Sequence, residues 1–278
     1  MHRFMKTILI AAFLCAQCVP IAAQAQTSAD DDSGQTQSTV PRRIAADVGA
    51  YFTAPLHWDR GDWTLFGGSL AAVAVAHHYD NSVRTHFTRG SSTALDGKDP
   101  KELQDAVPAA ALLAGTLLYG VAGRDESART TAWAMAEAAG LSTVTNYLFK
   151  AIAGRQRPNE TTDANQWRMG GSSFPSLHVA GVFAMGTVFA ESGNEDSRWI
   201  TRTLGYGVAG FTAYQRLKHN THWLSDTVAA AALGTATGLF VVHRTSRASA
   251  LSALAVTPMD GGLMVSYQVN LFSGSSKP

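Results

Sequence analysis

Residues 128–152, ARTTAWAMAEAAGLSTVTNYLFKAI, decide the fold class. The run is too long for a strand and is rich in Ala, Leu and Met, residues that favour a helix. Reading outward, five further runs share its character: Thr64–His77, Leu103–Val121, His178–Glu191, Ile200–Tyr214 and Thr221–His243. Polar or Gly/Pro-bearing connections separate them, notably Gly154–Pro175 and Gln215–Asn220. Only near the C-terminus does the pattern change. There Met264, Ser266, Gln268 and Asn270 alternate with Val265, Tyr267, Val269 and Leu271. The apolar run Ala253–Thr257 comes before, and Asp260-Gly261-Gly262 supplies turn residues between the two. The expected fold is all-α, a bundle of about six core helices carrying a small C-terminal β-hairpin. No repeat marks a solenoid or propeller.

The chain has 278 residues and a formal net charge of +1, which gives no basic field for nucleic acid. Any anion must therefore be met by a few placed cations. Charged residues make up 15%, below the globular average of about 25%, which points to a helical, largely buried chain.

The N-terminus reads as an export signal. Arg3 and Lys6 lead the apolar run Ile8–Cys18, and Ala23-Gln24-Ala25 offers a small-x-small cleavage site. Both cysteines, Cys15 and Cys18, lie inside that segment, so the mature chain would hold no disulfide, thiolate ligand or thiol nucleophile. The expected layout is a signal peptide at 1–25, a polar disordered linker at 26–41, a helical domain at 42–248, and a hairpin and tail at 249–278. The linker's Asp30-Asp31-Asp32 reads as part of a solvated tether.

With that signal, the periplasm is the expected location. Val107–Gly123 is apolar, yet a span wants about 20 such residues. Glu137 and Arg202 interrupt two other helices. Six spans after a cleaved signal would also put the connections after helices one, three and five in the cytoplasm. The expectation is a soluble or peripherally attached protein, with an integral inner-membrane protein as the alternative.

Three segments carry the chemistry. KAIAGRQRP holds Lys150, Arg155, Arg157 and Pro158; SSFPSLH holds Ser172, Ser173, Pro175, Ser176 and His178; QRLKHNTHWLSD holds Arg216, His219, His222 and Asp226. Phosphoryl transfer without a metal needs fixed cations and N–H donors around three equatorial oxygens. Lys150, Arg157 and Arg216 are such cations, and arginine's fork suits phosphate. Ser176, Leu177 and His178 fall at a helix start, where free amides and the helix dipole favour an anion. Histidine serves as nucleophile or acid near neutrality. His222 and Asp226 are four apart, on one helix face, so Asp226 can fix the tautomer of His222 and leave the other nitrogen to attack phosphorus. His178, on another helix, would then protonate the departing alkoxide. Each feature alone has a blander reading as a helix cap, a dipole partner or packing; their order and spacing together carry the inference.

That order resembles the type 2 phosphatidic-acid phosphatase and vanadium haloperoxidase superfamily, over about Ala128 to His243. Lys150 precedes Arg157-Pro158 by the family's interval. Pro175-Ser176-Leu177-His178 matches its Pro-Ser-Gly-His apart from the glycine, and Arg216, His222 and Asp226 match its last part with Gln215 in place of serine. The resemblance implies a helical bundle in which Lys150, Arg157, Arg216 and the Ser176–Leu177 segment hold phosphate. His222 would be the nucleophile, His178 the acid and Asp226 the group that orients His222. Leu177 tolerates positive φ less well than glycine would.

The implied activity is hydrolysis of a phosphomonoester through a phosphohistidine, with no cofactor and no metal. The substrate would be a phosphorylated small molecule or a lipid phosphate. A vanadate-dependent haloperoxidase using the same pocket is the first alternative, and an inactive binding or scaffold protein the second.

Other patterns read as structure. Gly205-Tyr206-Gly207-Val208-Ala209-Gly210 matches a dinucleotide fingerprint, but no strand precedes it, so close helix packing is expected. His219, His222 and Asp226 lack the further ligands of a zinc site. His77-His78 reads as a surface or helix-end pair, and Trp58, Trp63 and Phe66 as core packing in preference to the lining of a lipid or substrate entrance.

Overall fold

The computed structural model describes residues 48–89, 95, 101–252, 254–259 and 262–267. The expected signal peptide (1–25), the expected linker with its three aspartates and the tail beyond 267 lie outside the described residues. Six α-helices make the body: α1 (Arg60–Thr88), α2 (Glu102–Ala122), α3 (Glu126–Ala153), α4 (Leu177–Glu191), α5 (Arg198–Lys218) and α6 (Leu224–Ser252). A 3-10 turn at Ala54–His57 leads into α1.

Local chemistry sets several ends. Asp59 starts α1 with a reciprocal cap: its carboxylate accepts from Asp62 N at 2.9 Å, and the Asp62 carboxylate accepts from Asp59 N at 3.2 Å. Asp125 starts α3 by accepting from Ala128 N. Gly154 ends it in the left-handed conformation, φ +51°, where a Cβ would press on Arg168. Glycine at that point lets the chain turn back under the helix.

α4 is the centre of the bundle and packs on α3, α5 and α6; α1 lies on α6, and α2 on α3 and α5. The core between them holds Met135, Ala138, Leu141, Val182, Met185, Val188, Ala209 and Val241. Glycines allow the closest approaches. A Cβ on Gly205 would meet the Gly186 carbonyl oxygen at 2.4 Å, and one on Gly234 would meet that of Ala180 at 2.3 Å. Within the glycine-rich run of α5, Gly205 is a packing contact, whereas Gly207 and Gly210 face open space.

The helical class and the six helices agree with the sequence, with three corrections. The first helix continues through His77 to Thr88, so His77-His78 is not a helix end. The last begins at Leu224, after His222, and runs past 248 to Ser252. Trp58, Trp63 and Phe66 pack on one another, but Trp63 is 51% exposed, so this is a surface cluster and not core. Beyond α6, Leu254–Met259 runs antiparallel to Gly262–Tyr267, with Val256 opposite Val265.

The low charge does not go with burial. Leu65, Leu118, Tyr119 and Trp133 are all exposed. Among the described residues, two helices are long and apolar enough to cross a membrane: Leu103–Ala122, only 17% buried, and Leu224–Thr245, 44% buried. The expectation that no helix reaches span length is therefore corrected. The second helix has the 20 residues required.

Candidate active site

The ends of α3 and α5 meet the starts of α4 and α6, so the three motif segments converge. After Gly154 the chain packs against residues 166–173. Arg168 N donates to Ala153 O, Met169 N and Gly171 N to Gly154 O, and Ser173 N to Arg155 O. Gly171 lies so close that a Cβ would sit 2.2 Å from the Arg155 carbonyl oxygen. These bonds fix Ser173 and turn the Arg155 side chain inward.

His222 is buried in the turn before α6. Its Nδ1 donates to the Ser173 carbonyl at 2.8 Å, and Asp226 Oδ2 stands 3.6 Å away. The closest partner of the ring is thus a backbone carbonyl, not the carboxylate expected to orient it, because His222 is not on the helix that carries Asp226. Asp226 instead receives Trp223 N at 2.9 Å, the Ser173 hydroxyl at 2.5 Å and Arg155 Nη1 at 2.6 Å. Ser173 therefore ties the two together, through its carbonyl to the imidazole and its hydroxyl to the carboxylate. With Nδ1 donating, Nε2 carries the lone pair.

The charges act in one direction. Burial is the largest influence on His222 and pushes its pKa well below the usual value. Asp226 opposes this, while the positive charges of Arg216 and Lys150 add to it. Burial pushes Asp226 up, but the Arg155 charge and the contacts with His222 and Ser173 overcome it and hold the carboxyl ionised.

The cations are themselves held. Lys150, in the last turn of α3, donates to the Ser172 carbonyl. Arg216, in the last turn of α5, is fully buried, and its Nη1 donates to Asp105 Oδ2 at 2.8 Å. Asp105 also takes His219 Nδ1 at 3.1 Å, so His219 belongs to that pair rather than to a His222–Asp226 cluster. Among the described residues, no group of three or more His, Cys, Asp or Glu side chains is placed to hold a metal ion.

Ser176 caps α4; its hydroxyl is buried and has no hydrogen-bond partner among the described residues. Its amide donates to the Asp226 carbonyl at 3.3 Å. Leu177 is already helical, so a glycine-only conformation is not needed at that position. His178 follows in the same first turn, half-buried. Arg157 lies in the turn after α3 with its amide on the Glu160 carboxylate. Hydrogen bonds and charge thus join His222, Asp226, Lys150, Arg216 and Ser176; Arg157 stands in the turn after α3 and His178 in the first turn of α4.

Sequence reasoning gave no role to Ser173, Arg155, Asp80 or Asp105. Ser173 and Arg155 stand inside the quoted segments. Asp80 and Asp105 are single acids in helices far along the chain, and only their burial in so weakly charged a sequence sets them apart.

A buried imidazole beside an ionised aspartate, flanked by basic side chains at the ends of a helical bundle, defines a class. Residues 131–249 match the PAP2 superfamily. It is also similar to the Lipid A 1-phosphatase of Porphyromonas gingivalis, 31% identical over 176 residues, which is 61% of this chain and 35% of that protein. The chain thus spans about a third of that relative's length. No solved structure matches it.

Proposed function

We propose that this chain is a metal-independent phosphatase that hydrolyses phosphomonoesters, lipid phosphates among them, through a phosphohistidine at His222. The observation that carries the reading is the Nδ1 donation to Ser173, which leaves Nε2 as the nucleophilic atom on a neutral ring. Nε2 attacks phosphorus, the Nε2–P bond forms and the ester P–O bond breaks. His178 gives its proton to the departing alkoxide. Water then attacks phosphorus and returns a proton to His178, the P–N bond breaks, and phosphate leaves with His222 neutral again. Lys150, Arg157 and Arg216, the Ser176 hydroxyl and the amides opening α4 meet the charge on the equatorial oxygens.

The lipid part of the proposal draws on the relative's name and on the apolar outer face of α2. In this reading the chain is exported by residues 1–25, tethered by 26–41, and works in the periplasm on or in the membrane. The helical domain does the chemistry, and the terminal hairpin is an appendage outside it.

Purified chain should release phosphate from p-nitrophenyl phosphate and from a phosphorylated lipid in micelles, with a chelator present. His222→Ala should abolish both. Activity lost to the chelator, or kept in the mutant, would defeat the mechanism. Halide oxidation that needs added vanadate, without ester hydrolysis, would install the haloperoxidase reading instead.

A further inference from the structure

Asp80 lies on α1, outside residues 131–249, and is fully buried. Its Oδ2 takes Arg155 Nη2 at 2.7 Å, the Ser225 hydroxyl at 2.7 Å and His77 Nδ1 at 2.8 Å, and its Oδ1 takes Ser225 N at 2.8 Å. The other arm of Arg155 reaches Asp226. The guanidinium is wholly buried between the two carboxylates, with Trp167 4.3 Å from its carbon. Arg84, one turn further along α1, donates to the Pro158 carbonyl at 2.9 Å. His77, Asp80 and Arg84 share a helix face turned onto the loop that follows α3.

A buried arginine shared by two acids is an economical charge relay. Whatever Asp80 withdraws from Arg155 is left for Asp226 to exert on the imidazole 3.6 Å away. We infer that Asp80 is a positioning residue for the reaction: acting through Arg155, it sets where the Asp226 carboxylate stands and how strongly that carboxylate acts on His222. The inference rests on the reading of His222 as nucleophile. His77 modulates the same relay. One ring nitrogen faces Asp80 and the other Asn165 Oδ1, and the bond to Asp80, with the charge of Asp80 and the bond to Asn165, raises the pKa of His77 against burial and Arg155. The charged groups bearing on His222 are Asp226, Arg216 and Lys150, and those bearing on Asp80 are Arg155 and His77.

The test compares Asp80→Asn, His77→Asn, Asp59→Ala and His222→Ala, with p-nitrophenyl phosphate as probe. Asp80→Asn keeps an acceptor for Ser225 N but removes the charge. It should lower kcat by about tenfold to a hundredfold with KM within about twofold. The acid limb of its pH profile should move to lower pH, because less negative charge then holds a proton on His222. His77→Asn removes the imidazole that shares Asp80 Oδ2 with Arg155 and should move the limb the other way, which keeps the idea testable even if Asp80→Asn folds poorly. Asp59→Ala weakens the cap of α1 far from the relay; it should lower the melting temperature and leave kcat per folded molecule unchanged. If both relay variants keep the wild-type limb, or lose activity only as they unfold, Asp80 is merely structural and the inference falls. His222→Ala that is dead in that case leaves the nucleophile standing; His222→Ala that is active removes the nucleophile and the relay together.

Discussion

Burial pushes the pKa of His222 down, and Arg216 and Lys150 push it further. The ring should therefore remain a neutral nucleophile below the usual histidine value of about 6.5. The acid limb of kcat/KM is expected below that pH. Lys150→Met, which removes one repelling charge, should raise the limb while costing about a hundredfold in kcat. Both are read from one pH–rate series. The same shift bears on stability. As pH falls from about 6.5 toward the folded value, the unfolded chain takes up a proton that the folded ring refuses. Stability from this group is thus full above that window and declines through it, by at most about 1.4 kcal/mol per pH unit. Thermal melts at pH 7.5 and 5.5 should differ more in the wild type than in His222→Asn. Arg155→Met should be the most damaging single change at this scale. It strands two buried carboxylates and should cost about 3–5 kcal/mol in a denaturant titration.

At the level of the helix, the sequence was informative wherever local composition decided. The runs that became α2 to α5 were readable because nothing tertiary competes with their helical preference. The apolar pattern of α1 fades after His77, where His78, Tyr79, Asp80 and Asn81 follow. Helix continues there because Arg155 and Ser225, far along the chain, neutralise Asp80. The start of α6 was misplaced for the same reason. Asp226 accepts from Trp223 N, which puts the cap at Trp223 and leaves His222 outside. In the candidate site, the proposed nucleophile His222, the cations and the start of α4 stand out in the sequence by their spacing. The Ser173 bridge does not, because it depends on how two loops meet. The glycines of α5 separate the same way. Gly205→Ala drives a methyl into the Gly186 carbonyl and should cost about 1–3 kcal/mol or more. Gly207 meets nothing within 4 Å, and Gly207→Ala should gain about 0.5–1 kcal/mol by helix propensity. Paired melts of the two variants check this.

For the whole molecule, the exterior matters as much as the core. Tyr119 is 65% and Leu118 66% exposed on a helix whose 20-residue apolar window is mostly unburied. Large apolar faces of this kind mark contact with membranes or partners. The full chain is expected to float with phospholipid vesicles in a density gradient and to need detergent for extraction. Leu118→Glu together with Tyr119→Glu should weaken flotation. Release of the wild type by osmotic shock alone would refute membrane attachment.

Every group assigned to the chemistry gathers where α3 and α5 finish and α4 and α6 commence. The turn joining α4 to α5, with Glu195 and Asp196 exposed, belongs to the opposite end of the bundle. A foreign epitope spliced between those two acids should therefore be carried as a passenger, giving a labelled, fully competent protein whose sidedness an antibody can report.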